Sequence, residues 1–218
     1  MKPMNIIVSA GPTQEPIDPV RFLTNHSTGT MGYAVAEAAR DAGHNVILVT
    51  GPTQLRQPRG LDVIEVTTAR EMHRAVLSRF RKSNCVIMAA AVSDFRPVHY
   101  YTRKIKRTGA ARTLKLVRNP DILSLLGQQK RDKVLVGFCM ETSALIANAR
   151  NKMKTKNMDL IVANKIGVKK NAFGSGPTSV HIIGPAQQMA PLKAMSKRKI
   201  ARILLEKIEH IWYKNEVN

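Results

Sequence analysis

Hydrophobic residues come in short blocks separated by turns rich in Gly and Pro. Asn5–Ala10 is an apolar run stopped by Gly11-Pro12. It lacks polar alternation, which predicts a strand buried on both faces, as in a parallel sheet. The following stretch holds Pro12, Pro16 and Pro19 and cannot be helix. Thr30–Ala42 spaces Met31, Tyr33, Val35 and Ala39 for one helical face, and Gly43 ends it. Strands are predicted at Asn45–Thr50, Leu61–Val66 and Cys85–Ala90. Between the last two, Thr68-Ala-Arg-Glu71 forms a capping box opening a helix that carries Met72, Val76, Leu77 and Phe80. Farther on come a short helix near Pro120–Gln128, a strand at Val134–Met140 and a helix at Ser143–Lys156. Strands at Asp159–Ala163 and Ser179–Ile183 and a helix from Ser196 to about Trp212 complete the pattern. This alternation predicts an α/β fold, Rossmann-like and doubly wound, with a mainly parallel sheet in a single domain over 1–218.

One segment does not fit a compact sheet. Residues 96–118 hold eight basic residues and no acid, with little apolar content. They predict a mobile flap over an anionic ligand, with one strand at Thr113–Val117. Residues 150–170 add seven more basic residues against the single Asp159; for Arg150, Lys152, Lys154 and Lys156 a solvated helix face competes. The whole chain has 35 basic and 15 acidic residues, a net charge of +20. That balance predicts an anionic partner: nucleic acid, a membrane surface or a phosphorylated small molecule. With 44% hydrophobic and 23% charged residues, the composition is globular and argues against disorder. Cys85 and Cys139 cannot build a disulfide framework or a four-cysteine zinc site, and they point to a reducing compartment. The longest apolar run, Cys85–Val92, is too short to span a bilayer, and the N-terminal run is too short for a secretory signal. A cytoplasmic protein without a membrane partner is expected.

In an open parallel sheet, ligands bind beyond the carboxyl ends of the strands. That selects the loops after Ala10, Ala90 and Met140. In the first, Ser27, Thr28, Gly29 and Gly32 stand at the start of a helix, where free N–H groups suit a phosphate. An ordinary Ser/Thr N-cap is the competing reading, and the dinucleotide fingerprint Gly-x-Gly-x-x-Gly is absent. In the second, Ala89-Ala-Ala-Val-Ser-Asp94 offers small residues on which a flat ring can lie. Asp94 suits ribose hydroxyls or a ligand-bound metal, or is simply a turn aspartate. In the third, Gly137-Phe-Cys-Met-Glu-Thr142, Phe138 either stacks on a base or belongs to the core, and Glu141 reads as a helix-start acid.

Together these loops resemble the phosphopantothenate–cysteine ligase family of coenzyme A biosynthesis, also called phosphopantothenoylcysteine synthetase. The motifs, in order, are Ala10-Gly-Pro-Thr, Ile17-Asp-Pro-Val-Arg-Phe, Asn25-x-Ser-x-Gly-x-Met-Gly32, Ala89-Ala-Ala-Val-x-Asp94 and Lys104-Ile-Lys106. Asn119-Pro-Asp-Ile-Leu123, Gly137-Phe-x-x-Glu-Thr142, Lys156-Asn-x-Asp-Leu-Ile161 and Ala163-Asn164 follow. The resemblance implies that the carboxylate of 4′-phosphopantothenate attacks the α-phosphate of CTP, leaving an acyl-cytidylate. The amine of L-cysteine then releases CMP. It implies Asn25 and Lys104 as catalytic residues, Asn25 on the acyl group and Lys104 on the triphosphate. Ser27, Thr28, Gly29, Ala91, Asp94, Phe138, Lys156, Lys170 and Phe173 are implied nucleotide-binding positions, together with Lys104. Mg²⁺ is expected with the triphosphate, without a dedicated acidic metal cage, and ATP is a possible replacement for CTP. A homodimer paired partly through the flap is implied. The flavin-dependent decarboxylase that precedes this domain in many bacteria is expected on a separate protein or absent, so no flavin is expected here.

The sequence departs from the family pattern at His26 and Thr30, where basic residues are common, and at Phe173-Gly-Ser-Gly-Pro-Thr178. The family leaves the basic stretch Lys193–Arg202 unexplained. Two alternatives remain. A nucleic-acid-binding α/β protein would use the flap and the C-terminal helix as phosphate contacts, though aromatics are only 5% and no helix-turn-helix or zinc-finger motif appears. A nicotinamide-dependent oxidoreductase rests on the α/β pattern alone.

Overall fold

The computed structural model describes residues 2–107, 113–165, 176–184 and 192–217. In chain order the strands are β1 (Asn5–Ala10), β2 (Gln14–Pro16), β3 (Phe22–Thr24), β4 (Asn45–Thr50), β5 (Asp62–Glu65) and β6 (Cys85–Met88). They continue as β7 (Phe95–Pro97), β8 (Leu116–Arg118), β9 (Val134–Glu141), β10 (Leu160–Lys165), β11 (Thr178–Ile183) and β12 (Leu192–Met195). The helices are α1 (Thr30–Asp41), α2 (Ala69–Phe80), α3 (Ile122–Gln128), α4 (Leu145–Thr155) and α5 (Lys197–Val217). One sheet runs β12-β11-β10-β9-β6-β1-β4-β5. Its six strands from β5 to β10 are parallel, and β11 and β12 close it antiparallel.

The strand order reverses between β1 and β6, so the crevice at their carboxyl ends is the topological switch point. β1 is buried on both sides, as its apolar run predicts. Ile6, Val8 and Ala10 pack with α1 and α5, and Ile7 packs with residues of α2, α3 and α4. The predicted capping box forms: Thr68 Oγ1 accepts the Glu71 N–H, and the Glu71 carboxylate accepts the Thr68 N–H. On α5, Ile200, Leu204, Ile208 and Trp212 recur every four residues and are buried against α1.

The structure corrects the sequence reading in four places. The proline-rich stretch contains a two-stranded ribbon, Gln14 opposite Thr24. Pro16 is tolerated because the ribbon is short and exposed at its end. The flap strand is Leu116–Arg118 rather than Thr113–Val117, fixed by pairing with Phe95–Pro97. β9 extends through Glu141 because that residue pairs with Lys165, so Glu141 is a strand end and not a helix-start acid. α4 begins instead from Ala144, in the left-handed region at φ 47. The fourth, β12, had no apolar pattern strong enough to reveal it.

His44 ties three elements together. Its Nδ1 accepts the Met4 N–H at 3.2 Å, so Nε2 carries the proton and donates to Glu209 Oε1 at 3.0 Å. The His44 side chain is buried beneath α5. His44→Ala is expected to cost about 1.5–3 kcal/mol, because a hydrogen bond to a charged group is lost and the Met4 N–H is left buried. Urea unfolding of the two proteins measures this directly.

Candidate active site

The two Gly-Pro-Thr turns, after β1 and β4, pack on each other. Gly11 has φ +72, and the Thr53 methyl lies 2.8 Å from where its Cβ would be. Gly51 must lack a side chain because the Pro12 carbonyl fills that space. This pair of turns supports the start of α1. Gly29, φ 77, is the N-cap residue of α1, and no side chain caps the helix. Ser27 Oγ instead accepts the Gly29 N–H at 3.3 Å, while the Thr28 and Thr30 hydroxyls bond each other at 2.7 Å. The Ser/Thr N-cap alternative therefore fails, and the N-terminal N–H groups face a cavity. Gly32 lets α1 approach β1: a Cβ there would lie 2.6 Å from that of Ala10.

The loops after β1 and β6 are stitched together. Ala91 N–H donates to the Gly11 carbonyl at 2.9 Å, and the Ala91 carbonyl accepts from Thr13 N–H at 3.2 Å. That same carbonyl accepts from Asn25 Nδ2 at 3.2 Å, which stations the amide at the cavity mouth. The cavity, about 630 Å³, is lined by residues 25–32, by Ala89–Val92 and Asp94, by Phe138–Met140, and by Lys152, Asn164, Thr178 and Lys197. That is ample for a nucleotide-sized ligand. An adjoining cavity of about 480 Å³ lies across Asp94 and Phe138, with Asn119, Asp121 and Lys156 on its far wall.

The structure thus brings Asn25, Ser27, Thr28, Gly29, Ala91, Asp94 and Phe138 to one cavity and Lys156 to its neighbour. Lys104 lines neither. It is exposed on the flap, where Ile105 N–H donates to Asp18 Oδ2 at 3.1 Å and Arg21 donates to the Ile105 carbonyl at 2.7 Å. Lys170 and Phe173 lie outside the described residues. Burial opposes the charge of Asp18, but the N–H groups of Ile105, Val20 and Arg21 and the Arg21 side chain outweigh it and hold its carboxyl at about 2.

Sequence reasoning singled out Lys156 but gave Lys152 no role in the site. Lys152, although exposed, lines the main cavity, and Lys156, at the C-cap of α4, lines its neighbour. Lys152 Nζ pairs with Glu141 at 2.6 Å, and Asn148 donates to the same carboxylate at 3.1 Å. The Lys152 hydrogen bond draws the Glu141 carboxyl below its usual range. Lys156 pairs with Asp121 at 2.9 Å. Burial resists the charge on Asp121, but the hydrogen bond from Lys156 prevails and lowers its pKa. Burial pushes the Cys139 thiol up to about 11, which excludes it as a ready nucleophile.

Comparison with known proteins places the chain. A family model described as DNA/pantothenate metabolism flavoprotein C-terminal domain matches residues 1–211. The chain is 44% identical over 205 residues to the coenzyme A biosynthesis bifunctional protein CoaBC of Bacillus subtilis (strain 168), covering 94% of this chain and 50% of that protein. It spans about half the length of the curated relatives it matches. Among solved structures, the C-terminal domain of CoaBC superposes with a TM-score of 0.83 at 34% identity, covering 98% of each chain. The DNA/pantothenate metabolism flavoprotein from Streptococcus pneumoniae superposes with a TM-score of 0.83 at 28% identity, covering 95% of this chain and 99% of that one.

Proposed function

The chain belongs to the family of DNA/pantothenate metabolism flavoprotein C-terminal domains, and from that premise we propose that it joins 4′-phosphopantothenate to L-cysteine at the expense of CTP. The observation that carries this reading is the uncapped start of α1 opening, with Asn25 and Phe138, onto one cavity at the switch point of the sheet. A carboxylate is a poor acyl donor. In the first half-reaction its oxygen attacks the α-phosphate of CTP, pyrophosphate leaves and an acyl-cytidylate forms. In the second, the cysteine amine attacks the acyl carbon and loses its proton, and CMP departs as the amide is formed.

In this reading Ser27, Thr28 and Gly29 receive phosphate oxygens at the positive end of α1. Ala91 and Phe138 flank the base, and Asp94 takes the ribose hydroxyls. Asn25 orients the acyl group, and Lys104 supports charge developing on the pyrophosphate. Lys156, and beyond the described residues Lys170 and Phe173, complete the nucleotide site. Among the described residues no cluster of three metal-ligating side chains occurs, and Asp94 is the one carboxylate on the main cavity wall. Mg²⁺ would arrive on the triphosphate, and Asp94 would be the carboxylate of this wall within its reach. Bound there, it neutralises phosphate charge.

The same reading makes the molecule a homodimer. Val20 and Phe22 on the β2–β3 ribbon, with Phe95, Val98, Tyr100 and Leu116 on the flap ribbon, are exposed large apolar side chains, and a second copy is the partner that would cover them. Among the described residues no helix is long and apolar enough to cross a membrane. The nucleic-acid alternative rests on net charge alone.

The test is to mix the protein with CTP, Mg²⁺, 4′-phosphopantothenate and cysteine and to measure pyrophosphate and CMP. CTP is expected to outperform ATP by at least about tenfold, since a pocket fitted to a pyrimidine loses contacts and gains clashes with a purine. Equal rates with both would remove the base-specific role of Ala91, Asp94 and Phe138.

A further inference from the structure

The flap backbone is fastened at two points to the turn between β2 and β3. Tyr101 N–H donates to the Ile17 carbonyl at 2.9 Å, and Ile105 N–H donates to Asp18 Oδ2 at 3.1 Å. Lys104 lies between them in the chain. The Ile105 carbonyl is held as well, by Arg21 at 2.7 Å.

The two oxygens of Asp18 have different tasks. Oδ1 accepts the N–H groups of Val20 and Arg21, both at 2.9 Å, and shapes the turn. The Arg21 carbonyl closes the same turn by accepting the Ile17 and Asp18 N–H groups at 2.8 and 3.2 Å. Oδ2 accepts the Ile105 N–H and the Arg21 guanidinium, whose Nη2 lies 2.8 Å away. The Asp18 side chain has no exposed surface, so water does not compete for Oδ2.

We infer that Asp18 is a positioning residue: through Oδ2 and the Ile105 N–H it fixes the flap backbone that carries Lys104, and so sets the rate of pyrophosphate release. The inference rests on the proposed reaction and on the part given there to Lys104. A lysine side chain is long and flexible, and a released backbone adds further freedom for the cation to lose. A charge that stabilises a transition state does so to the extent that it is already in place. Lys104 lines neither cavity, so its displacement is expected to change the rate and not the affinity for CTP.

Asp18→Asn separates the two oxygens. The Val20 and Arg21 N–H groups require its amide oxygen, so its NH₂ meets the Ile105 N–H and the Arg21 guanidinium, donor against donor. The turn survives and the tether does not, whereas Asp18→Ala loses both. The Arg21 pair is weakened too, and a Lys104→Gln background isolates that effect.

The experiment uses the full chain as wild type, Asp18→Asn, Asp18→Ala, Lys104→Gln and the Asp18→Asn/Lys104→Gln double variant. Amide exchange at Ile105 is followed by NMR on protein carrying nitrogen-labelled isoleucine. It is expected to be slow in wild type and about tenfold or more faster in Asp18→Asn. Single-turnover pyrophosphate release at saturating CTP is expected to slow about tenfold or more in Asp18→Asn, with CTP affinity within about twofold of wild type. In the Lys104→Gln background the same change is expected to slow release by less than about twofold, because no cation is left to position. Asp18→Ala is expected to match Asp18→Asn in rate and to melt at a lower temperature. Retained protection of Ile105 in Asp18→Asn, unchanged release once protection is lost, or equal slowing with and without Lys104 overturns the role of Asp18. So does a Lys104→Gln variant as fast as wild type. Protection that disappears in Asp18→Asn, from a wild type that forms no pyrophosphate with CTP, keeps the tether and removes the ligase. A wild type that ligates while Asp18→Asn matches its rate does the reverse.

Discussion

Asn25→Asp is expected to form pyrophosphate on mixing with CTP and phosphopantothenate, yet to pass the acyl group to cysteine about a hundred- to a thousandfold more slowly. Acyl-cytidylate should accumulate. The physical reason lies in the Ala91 carbonyl, which accepts the Asn25 amide N–H at 3.2 Å. An aspartate is nearly the same shape but has no N–H to give. Its carboxylate would face that carbonyl, acceptor against acceptor, and would turn a negative charge toward the acyl group. When the amine attacks, negative charge develops on the acyl oxygen. A donor aimed there is worth about 2.7–4 kcal/mol where such donors have been removed from enzymes. Activation of the carboxylate develops its charge elsewhere, on the phosphates, so it should suffer less. Asn25→Ala separates loss of the donor from gain of the charge and should slow transfer less than Asp does. The measurement is rapid quenching with labelled CTP, with and without cysteine. Equal suppression of pyrophosphate release and of transfer would sink the assignment of Asn25 to the acyl group.

The parts of this molecule that the sequence revealed are those governed by local pattern. β1, β4 and β6 are unbroken apolar runs because both faces of the sheet are covered, and α1, α2 and α5 repeat at helical spacing. Given a parallel sheet, the rule that ligands bind at carboxyl ends of strands picked out the loops carrying Asn25, Ala91 and Phe138. What stayed hidden depends on distant partners. β2 with β3 and β7 with β8 are three-residue strands that exist only through pairing. Glu141 was read from its neighbours in the chain, but its strand pairing with Lys165 and its ion pair with Lys152 decide its role. Asn119 opens a recognisable motif, but its work appears only in three dimensions, where its amide bridges Arg96 and the Ser93 carbonyl. Two features of the sequence bear on the site. Lys152 and Lys156 are four apart on a predicted helix. Lys197, Arg198 and Lys199 crowd a predicted helix start, where cations are disfavoured.

Lys104→Gln is expected to suppress the first half-reaction about a hundredfold, with no acyl-cytidylate detected. The argument starts from where Lys104 stands. It is exposed and lines neither cavity, yet the backbone beside it is fixed. Ile105 is held on both its N–H and its carbonyl, by Asp18 and Arg21 in the turn between β2 and β3. That turn leads through β3 to Asn25 at the cavity mouth. With its carboxyl at about 2, Asp18 stays charged, and keeps this hold, throughout the neutral range. A cation outside both cavities contributes little to ground-state nucleotide binding. In the proposed reaction its contribution is expected where charge grows, on the departing pyrophosphate. Loss of a charge-assisted phosphate contact costs about 1.5–3 kcal/mol, which is roughly ten- to over a hundredfold in rate. A contact made only in the transition state lies at the upper end and lowers the rate constant while leaving substrate affinity nearly intact. Single-turnover pyrophosphate release at saturating CTP, alongside CTP binding by titration, separates the two. If Lys104→Gln weakens CTP binding as much as it slows release, Lys104 is a ground-state contact inside the site. If it accumulates the cytidylate, it acts in the second half-reaction, and the division of labour between Lys104 and Asn25 is reversed.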